Sequence, residues 1–568
     1  MKRYTPIIIL FLLTFVNSQA KENAVQFPLR FDRYYTYEQV NEALSLLNKN
    51  YPKLTKLEVV GKSEEGRSIY ALTINNPKTG EALDKPGIYV DGNIHGNEIQ
   101  AGEVCLYLAD FVLGRYGTNP KITELVDRTV FYIIPSINVD GRWHFFSDAN
   151  TPSSSRSIRR PKDDDNDGLF DEDGYDDLDG DGNICQMRIK DPDGLYKTNP
   201  EDKRLMERIK PEEKGEWTLL GYEGIDNDND GRMNEDTEGY VDPNRNWPFD
   251  WRPDYLQSGA GDYPLSGVGL KAVAKYIEYR QNIIMVWAFH NNGGMFLRGP
   301  SAKDLYVPKA DVTVYDLIGQ NAEKMVPGYK YMPSYDLYPT RGDFGEFTFN
   351  LIGAYTFVGE LFQNETETYN KEAKAPEDRT KREIERMKFN DNLAQGELYK
   401  DWKPFHHPVY GDIEIGGWVK MSSRLPHTSM LPDLVHRNAS AVIYSASQLP
   451  EIEMEIFENE EMSKGVHRIR VRLRNTKGIS TMAMHSWQTK LYTPDMLTLT
   501  GAKVIAAGKI TDRYTNKVEY KEYKPEIQFT RVPGFDTVEY EFLVEGKGTV
   551  TISYQSRKAK NRETSVKL

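Results

Sequence analysis

Three short stretches carry side chains whose types and spacing suit catalysis. In Asp91-Gly92-Asn93-Ile94-His95-Gly96-Asn97-Glu98, a strand-like run ends and a helical one begins, so His95 and Glu98 leave the strand end together. An imidazole and a carboxylate so placed can share one cation, as a catalytic zinc site requires. His290 ends the apolar run Ile283 to Phe289, a position at the edge of a sheet where open α/β folds carry their sites. Glu360 ends the β-rich run Ala354 to Gly359, with Glu346 as its nearest rival. A carboxylate leaving a strand beside a metal can accept a proton from water and pass it to a leaving amine. Singly, each has a plainer reading: a surface pair, a packed core histidine, a strand-end acid.

A fourth stretch, between Arg160 and Tyr240, holds an internal repeat. Asp163, Asp165, Asp167, Gly168, Asp171 and Asp173 match in spacing Asp226, Asp228, Asp230, Gly231, Asn234 and Asp236; Asp177, Asp179, Asp181 and Gly182 form a shorter third copy. Carboxylates at alternate positions followed by glycine wrap oxygen ligands round a hard cation, so calcium is the expected occupant. Neither long repeat has the twelfth-position Glu of an EF-hand. The alternative is a solvated acidic loop.

These groups need elements to hold them. From Phe31 to about Ser440, apolar strand-like runs (Gly87 to Gly92, Val130 to Pro135) alternate with helical spacing, as in Tyr37 to Tyr51 and Ile99 to Leu113. The pattern predicts an α/β domain over residues 21–440 with a mixed central sheet flanked by helices, the Asp-rich insertion occupying about 160–240. After Leu449 the period becomes two, as at Ile452, Met454 and Ile456 and at Ile469, Val471 and Leu473, which predicts a separate all-β, sandwich-like module over 449–568. That module is either a structural cap or a binding unit for an unknown partner.

A content of 39% hydrophobic residues suits a large buried core. The net charge of -13, concentrated in the Asp-rich stretches, argues against nucleic acid and for bound cations. Residues 1–20 (MKRYTPIIILFLLTFVNSQA) read as a signal peptide: the apolar run is about 10 residues, short of the roughly 20 that span a bilayer. The protein is therefore expected to be secreted or periplasmic, with no stable membrane span. Cys105 and Cys185 allow one disulfide at most.

With these motifs in order, residues 30–399 resemble the zinc carboxypeptidases of the carboxypeptidase A type, and the fold class expected is theirs: an eight-stranded-type mixed sheet between helices. Gly61 to Tyr70 is similar to the family's S-x-E-G-R-x-I segment, Asn138-Val139-Asp140-Gly141 to its N-P-D-G, and Asp242-Pro243-Asn244-Arg245-Asn246-Trp247 to its D-x-N-R-N-[WF] motif. The resemblance implies that His95, Glu98 and His290 hold one catalytic Zn²⁺ and that Glu360 activates water. It further implies that Asn244 and Arg245 bind a substrate's terminal carboxylate, a role that suits a guanidinium fork, although a structural ion pair is the alternative for Arg245. Tyr338 takes the place of the phenol that closes over that carboxylate. Of Arg156, Arg159 and Arg160, Arg156 best keeps the distance of the oxyanion-stabilising arginine. Asn97 and Gly345 depart from the digestive enzymes at positions that shape specificity, and no inhibitory prodomain is expected.

The expected activity is hydrolysis of the last peptide bond of peptides and proteins by a secreted zinc metallocarboxypeptidase, with calcium as a structural ion. The alternatives are a zinc peptidase or amidase acting on cell-wall peptides and, from another class, a calcium-dependent binding protein on a retired peptidase fold.

Overall fold

A computed structural model describes residues 25–163, 168–363 and 376–568. The stretch read as a signal peptide, together with Asp165 and Asp167, lies outside these residues. Before the insertion the strands are β1 (Thr55–Lys62), β2 (Ser68–Ile74), β3 (Gly87–Gly92) and β4 (Val130–Ile134). The insertion and its flanks add β5 (Ile158–Arg160), β6 (Gln186–Lys190), β7 (Tyr196–Thr198), β8 (Met206–Arg208), β9 (Trp217–Tyr222) and β10 (Gly239–Val241). Beyond it come β11 (Ile283–Asn291), β12 (Met295–Arg298), β13 (Lys330–Pro333), β14 (Tyr355–Leu361), β15 (Tyr399–His407) and β16 (Gly411–Trp418).

The central sheet has eight strands in the order β1-β2-β4-β3-β11-β14-β12-β13. Its middle, β4, β3, β11 and β14, is parallel, whereas β1 pairs with β2, β2 with β4 and β12 with β14 antiparallel. Strands covered on both faces must be apolar throughout. All residues of β3, β4 and β11 are buried accordingly. Helices cover both faces. The first, α1 (Tyr37–Asn50), starts at a capping box in which Thr36 and Gln39 satisfy each other's backbone N–H groups, and it buries Val40, Ala43, Leu44 and Leu47. The helix after β3, α2 (Gln100–Arg115), is buried on most of its surface because a late helix, Leu431–Ser447, lies against it.

The insertion is anchored in two ways. β5 and β10 form a two-stranded antiparallel ribbon, and β6 to β9 join β15 and β16 in a six-stranded sheet. The pairing of β6 with β16 brings together residues more than two hundred apart in sequence, which periodicity cannot foresee. Cys105 and Cys185 are both buried and unbonded, so the one disulfide that composition permitted is not made.

Residues 452–567 form a five-stranded and a four-stranded sheet around their own core, which includes Ile469, Val471, Leu473, Leu497, Phe542 and Ile552. On the outer face of the larger sheet, Arg468, Arg470 and Arg472 pair with Glu458, Glu541 and Glu539 across neighbouring strands. Two buried polar contacts dock this module on the catalytic sheet. The Lys558 ammonium donates to the carbonyls of Ile283, Ile352 and Gly353 at 2.7, 2.7 and 2.9 Å. Asp311 accepts from the backbone N–H groups of Met484 and His485 at 2.7 and 2.8 Å.

A buried donor removed from three carbonyls leaves them unpaired at about 1–3 kcal/mol per group. Lys558→Met is accordingly expected to destabilise the protein by roughly 3 kcal/mol or more. In thermal unfolding it should loosen the junction between the modules first; an unchanged melting profile would show that the contact contributes nothing.

Candidate active site

The site is built at the C-terminal ends of β3, β11 and β14. Asn93, at the end of β3, takes a left-handed conformation with φ 56° and donates its amide to the carbonyls of His95 and Gly96, at 2.7 and 2.8 Å. The tight turn aims His95 and Glu98 back over the sheet. Gly96 is required sterically: a Cβ there would lie 2.1 Å from the Ser155 carbonyl oxygen and 2.4 Å from the Gly141 Cα. The glycines of two separate motifs thus touch, and the Gly96 N–H donates to the Arg156 carbonyl at 2.8 Å, which pins Arg156 beside the turn.

His290 and Glu360 are partners in the parallel register of β11 and β14, so their side chains leave adjacent strands on one face. His95 Nδ1 lies 3.0 Å from Glu98 Oε1, His290 Nδ1 lies 3.1 Å from Glu98 Oε2, and the two Nδ1 atoms are 3.2 Å apart. All three residues are at most 3% exposed. Two imidazole nitrogens and a carboxylate converging in a dry site form the donor set and number of a catalytic zinc centre. Burial works against ionising Glu98, but His95, the hydrogen bond from His290, and Arg156 outweigh it and hold the carboxyl well below the usual range.

Asp242 is a partner that sequence reasoning passed over, although it opens the D-x-N-R-N-W motif. Its Oδ1 lies 3.0 Å from His95 Nε2. A carboxylate there takes the Nε2–H and leaves the Nδ1 lone pair for a metal, the usual arrangement of a histidine ligand. Arg424, also unforeseen, reaches the site from the segment after β16: its Nη2 is 3.5 Å from Glu98 Oε1 and 3.2 Å from the Asn291 carbonyl oxygen. No local motif marks it; only the folding of a distant loop brings it in.

Among the three arginines weighed for the oxyanion, the structure separates the roles. Arg156 Nη1 lies 2.6 Å from Glu98 Oε1. Arg159 pairs instead with Asp148 and Glu238, and Arg160 with Asp262. Burial pushes the Glu360 carboxyl up to about 7 and the Glu98 charge adds to this, against the pull of His290, Arg156 and Arg424. Its rival Glu346 is occupied elsewhere, accepting from the Ser301 N–H and the Asn350 amide, both at 2.7 Å.

Arg245 is 8% exposed and no carboxylate lies within 4.0 Å of it among the described residues; its Nη1 donates to the Asn244 carbonyl at 2.7 Å. A structural ion pair is therefore not what holds it. Tyr338 stands over it, with the guanidinium carbon 6.0 Å from the ring centroid, and its phenol is half exposed. Asn244 Oδ1 accepts from the Phe344 N–H, which leaves the amide N–H groups of Asn244 as donors. Trp247, fully buried against Phe344 and Phe347, clamps this loop in place.

In the insertion, the carboxylates of Asp173, Asp226 and Asp228 converge, as do those of Asp177, Asp179 and Glu223, and of Asp228, Asp230 and Glu235. Glu223 and Glu235 were not singled out by the repeat. Other expected ligands are placed differently. Asp181 pairs with Lys400, Asp171 accepts from the Lys162 N–H, and Asn234 donates to the Tyr222 carbonyl. The Asn234 amide oxygen is itself buried without a hydrogen-bond partner. Asp163 accepts from the Gly168 N–H, and Asp236 bridges to Asp173 through the backbone. A cavity of about 660 Å³ runs from Arg156 and Asp242 to Asp171, Tyr175 and Glu238, so the insertion walls one side of the site.

Comparison with known proteins was made on this basis. The zinc carboxypeptidase family model matches residues 40–176 and 189–385, and residues 451–567 match a domain family of unknown function. Carboxypeptidase D of Homo sapiens is 42% identical over 110 residues, 19% of this chain and 8% of that protein, and carboxypeptidase M of Mus musculus is 33% identical over 109 residues, 19% of this chain and 25% of that protein. The chain thus spans only a small part of these relatives. Among solved structures, thrombin activatable fibrinolysis inhibitor is 16% identical, with 73% of this chain and 74% of that one covered at a TM-score of 0.45. Carboxypeptidase A from Helicoverpa armigera is 17% identical, with 76% and 78% covered at 0.44. With more than half of its length matched by one family model, the chain belongs to the zinc carboxypeptidase family.

Proposed function

We propose that the protein is an exported zinc-dependent carboxypeptidase that removes residues one at a time from the C-termini of peptides and proteins, with His95, Glu98 and His290 as the metal ligands. The observation that carries this is the buried guanidinium of Arg245, which has no carboxylate partner among the described residues and lies beside the donor Asn244 and the phenol Tyr338. Asp242 acts on Arg245 electrostatically without forming an ion pair, so the guanidinium fork is left open to a substrate's terminal carboxylate. Recognition of that group makes the enzyme an exopeptidase.

Bound zinc would polarise the scissile carbonyl and make water a better nucleophile. Glu360 takes the proton of the attacking water and delivers it to the leaving amine. Arg156 donates to the oxygen on which negative charge develops. Asp242 holds His95 in the tautomer that presents Nδ1. Arg424 adds a second positive charge facing Glu98 and Glu360. Export rests on the character of residues 1–20, and no described helix is long and apolar enough to cross a membrane. The acidic insertion is taken to hold structural calcium.

Incubation of the zinc-loaded chain with a mixed peptide set, read by mass spectrometry, should show stepwise loss of C-terminal residues. Glu360→Gln should slow this at least about 10²-fold with zinc content unchanged, the scale of a lost general base. Intact peptides in the wild-type digest would refute the reading. Arg245→Ala should raise KM and erase the preference for free over amidated C-termini; if that preference survives, Arg245 is not the anchor. Because Glu360 acts as a base only when ionised, and burial raises its pKa to about 7, kcat/KM should fall as the pH drops through the acid limb. A bound dication would move that limb below 7. A rate that rose on acidification would exclude Glu360 as the base.

A further inference from the structure

The three acidic repeats share one contact: Gly168, Gly182 and Gly231, each with positive φ, donate their N–H to Asp163, Asp177 and Asp226 five residues earlier, at 3.1, 2.8 and 3.0 Å. Spacing alone suggests that each loop wraps its own ion. Beside the group of Asp228, Asp230 and Glu235 within one loop, the structure has a second arrangement. Asp173, from the end of the first long repeat, lies with Asp226 and Asp228 of the second, 53 residues away, their oxygens within 4.8 Å of one another.

Asp173 is fully buried, and its Oδ2 has no hydrogen-bond partner; its other oxygen accepts from Asn227 at 3.2 Å. The Glu235 carboxylate, its oxygens also buried, faces Asp173 directly, and the two acidic groups oppose each other's ionisation. Such groups are costly unless a cation is shared between them. An all-oxygen set of several carboxylates suits calcium and not a soft or borderline metal.

The same crossing has a consequence for catalysis. Asp173 and Asp236 form an antiparallel bridge. Three residues after Asp236 the chain enters β10, which pairs with β5 through Gly239 and Arg160, Tyr240 and Arg159, and Val241 and Ile158. Arg156 precedes β5 and Asp242 follows β10, so the end of the ribbon remote from the acidic loops carries the residue that faces Glu98 and the residue that orients His95.

We propose that Asp173 of one acidic loop and Asp226 and Asp228 of the other jointly hold a calcium ion, and that this ion, by locking the two loops together, fixes the β5–β10 ribbon that positions Arg156 and Asp242. Asp173, Asp226 and Asp228 are ligands of this second site and touch no substrate. Its coupling to catalysis rests on the carboxypeptidase reading; its existence does not.

The test is calorimetric titration of Ca²⁺ into the zinc-loaded full chain stripped of alkaline-earth ions, with hydrogen exchange followed over residues 158–160 and 239–241. Saturable binding that slows exchange in both strands is expected. Asp173→Asn and, separately, Asp228→Asn should each weaken binding at least about tenfold, as loss of a charged oxygen ligand implies. Withholding calcium at constant zinc content should lower kcat/KM roughly tenfold, the scale seen when a residue orienting a metal ligand is disturbed. Absence of Ca²⁺ binding at millimolar concentration overturns the site, and so does wild-type affinity in both variants. Unchanged exchange in the ribbon, or zinc lost in step with calcium, overturns the coupling. If no peptide is cleaved under any condition, the carboxypeptidase reading fails, while the titration and exchange still decide the calcium site.

Discussion

Two imidazole nitrogens 3.2 Å apart, both facing one buried carboxylate, form a ready-made set of cation donors, and much of this half of the chain serves to hold them there. The constraint reaches well beyond the ligands. It requires β3 and β11 to be neighbours in one parallel sheet, a turn at Asn93 tight enough to exclude a Cβ at Gly96, and a carboxylate at Asp242 to set the tautomer of His95. It also places two guanidiniums, Arg156 and Arg424, against Glu98. Those charges keep Glu98 ionised while Glu360, one strand away and not a ligand, is left with a raised pKa. Two carboxylates in one site thus have their ionisation pushed in opposite directions by their surroundings.

Charge in the insertion follows the same logic at a different radius. Hard carboxylate oxygens are gathered at Asp173, Asp226 and Asp228, and they come from loops distant in sequence. Because the loops are joined to the active site by the short β5–β10 ribbon, any ion that holds them also limits the freedom of Arg156 and Asp242. On the calcium proposal, the insertion is coupled to the site mechanically as well as lining the cavity beside it. The C-terminal module is coupled differently, through the buried ammonium of Lys558 and the Asp311 carboxylate, both satisfied by backbone groups of the other module. Partners of that kind fix orientation more strictly than apolar contact does, since an unpaired buried polar group is costly.

Much of this was written in local sequence. Apolar runs with β-branched residues announced the buried strands, the period-two alternation announced the C-terminal sheets, and the helical spacing from Tyr37 announced the first helix. His95, Glu98, His290 and Glu360 were legible because each lies at the end of such a run, where a strand delivers its side chain to a sheet edge. The Asp repeats were legible because their spacing encodes one turn.

Only the tertiary structure decided which of these residues meet. The register that sets His290 beside Glu360 arises from pairing strands about seventy residues apart, and backbone hydrogen bonding carries no label in the side chains that pair. Arg156 was separated from Arg159 and Arg160 by which carboxylates the fold brought to each. Arg424 and Glu223 stand in no motif, and nothing in the spacing joins Asp173 to Asp226 and Asp228. Sequence thus determined the chemical types and the local turns of this protein, which depend on neighbours a few residues away. The composition of each charged site was left to the fold, because Coulomb interactions act on distance in space and not along the chain.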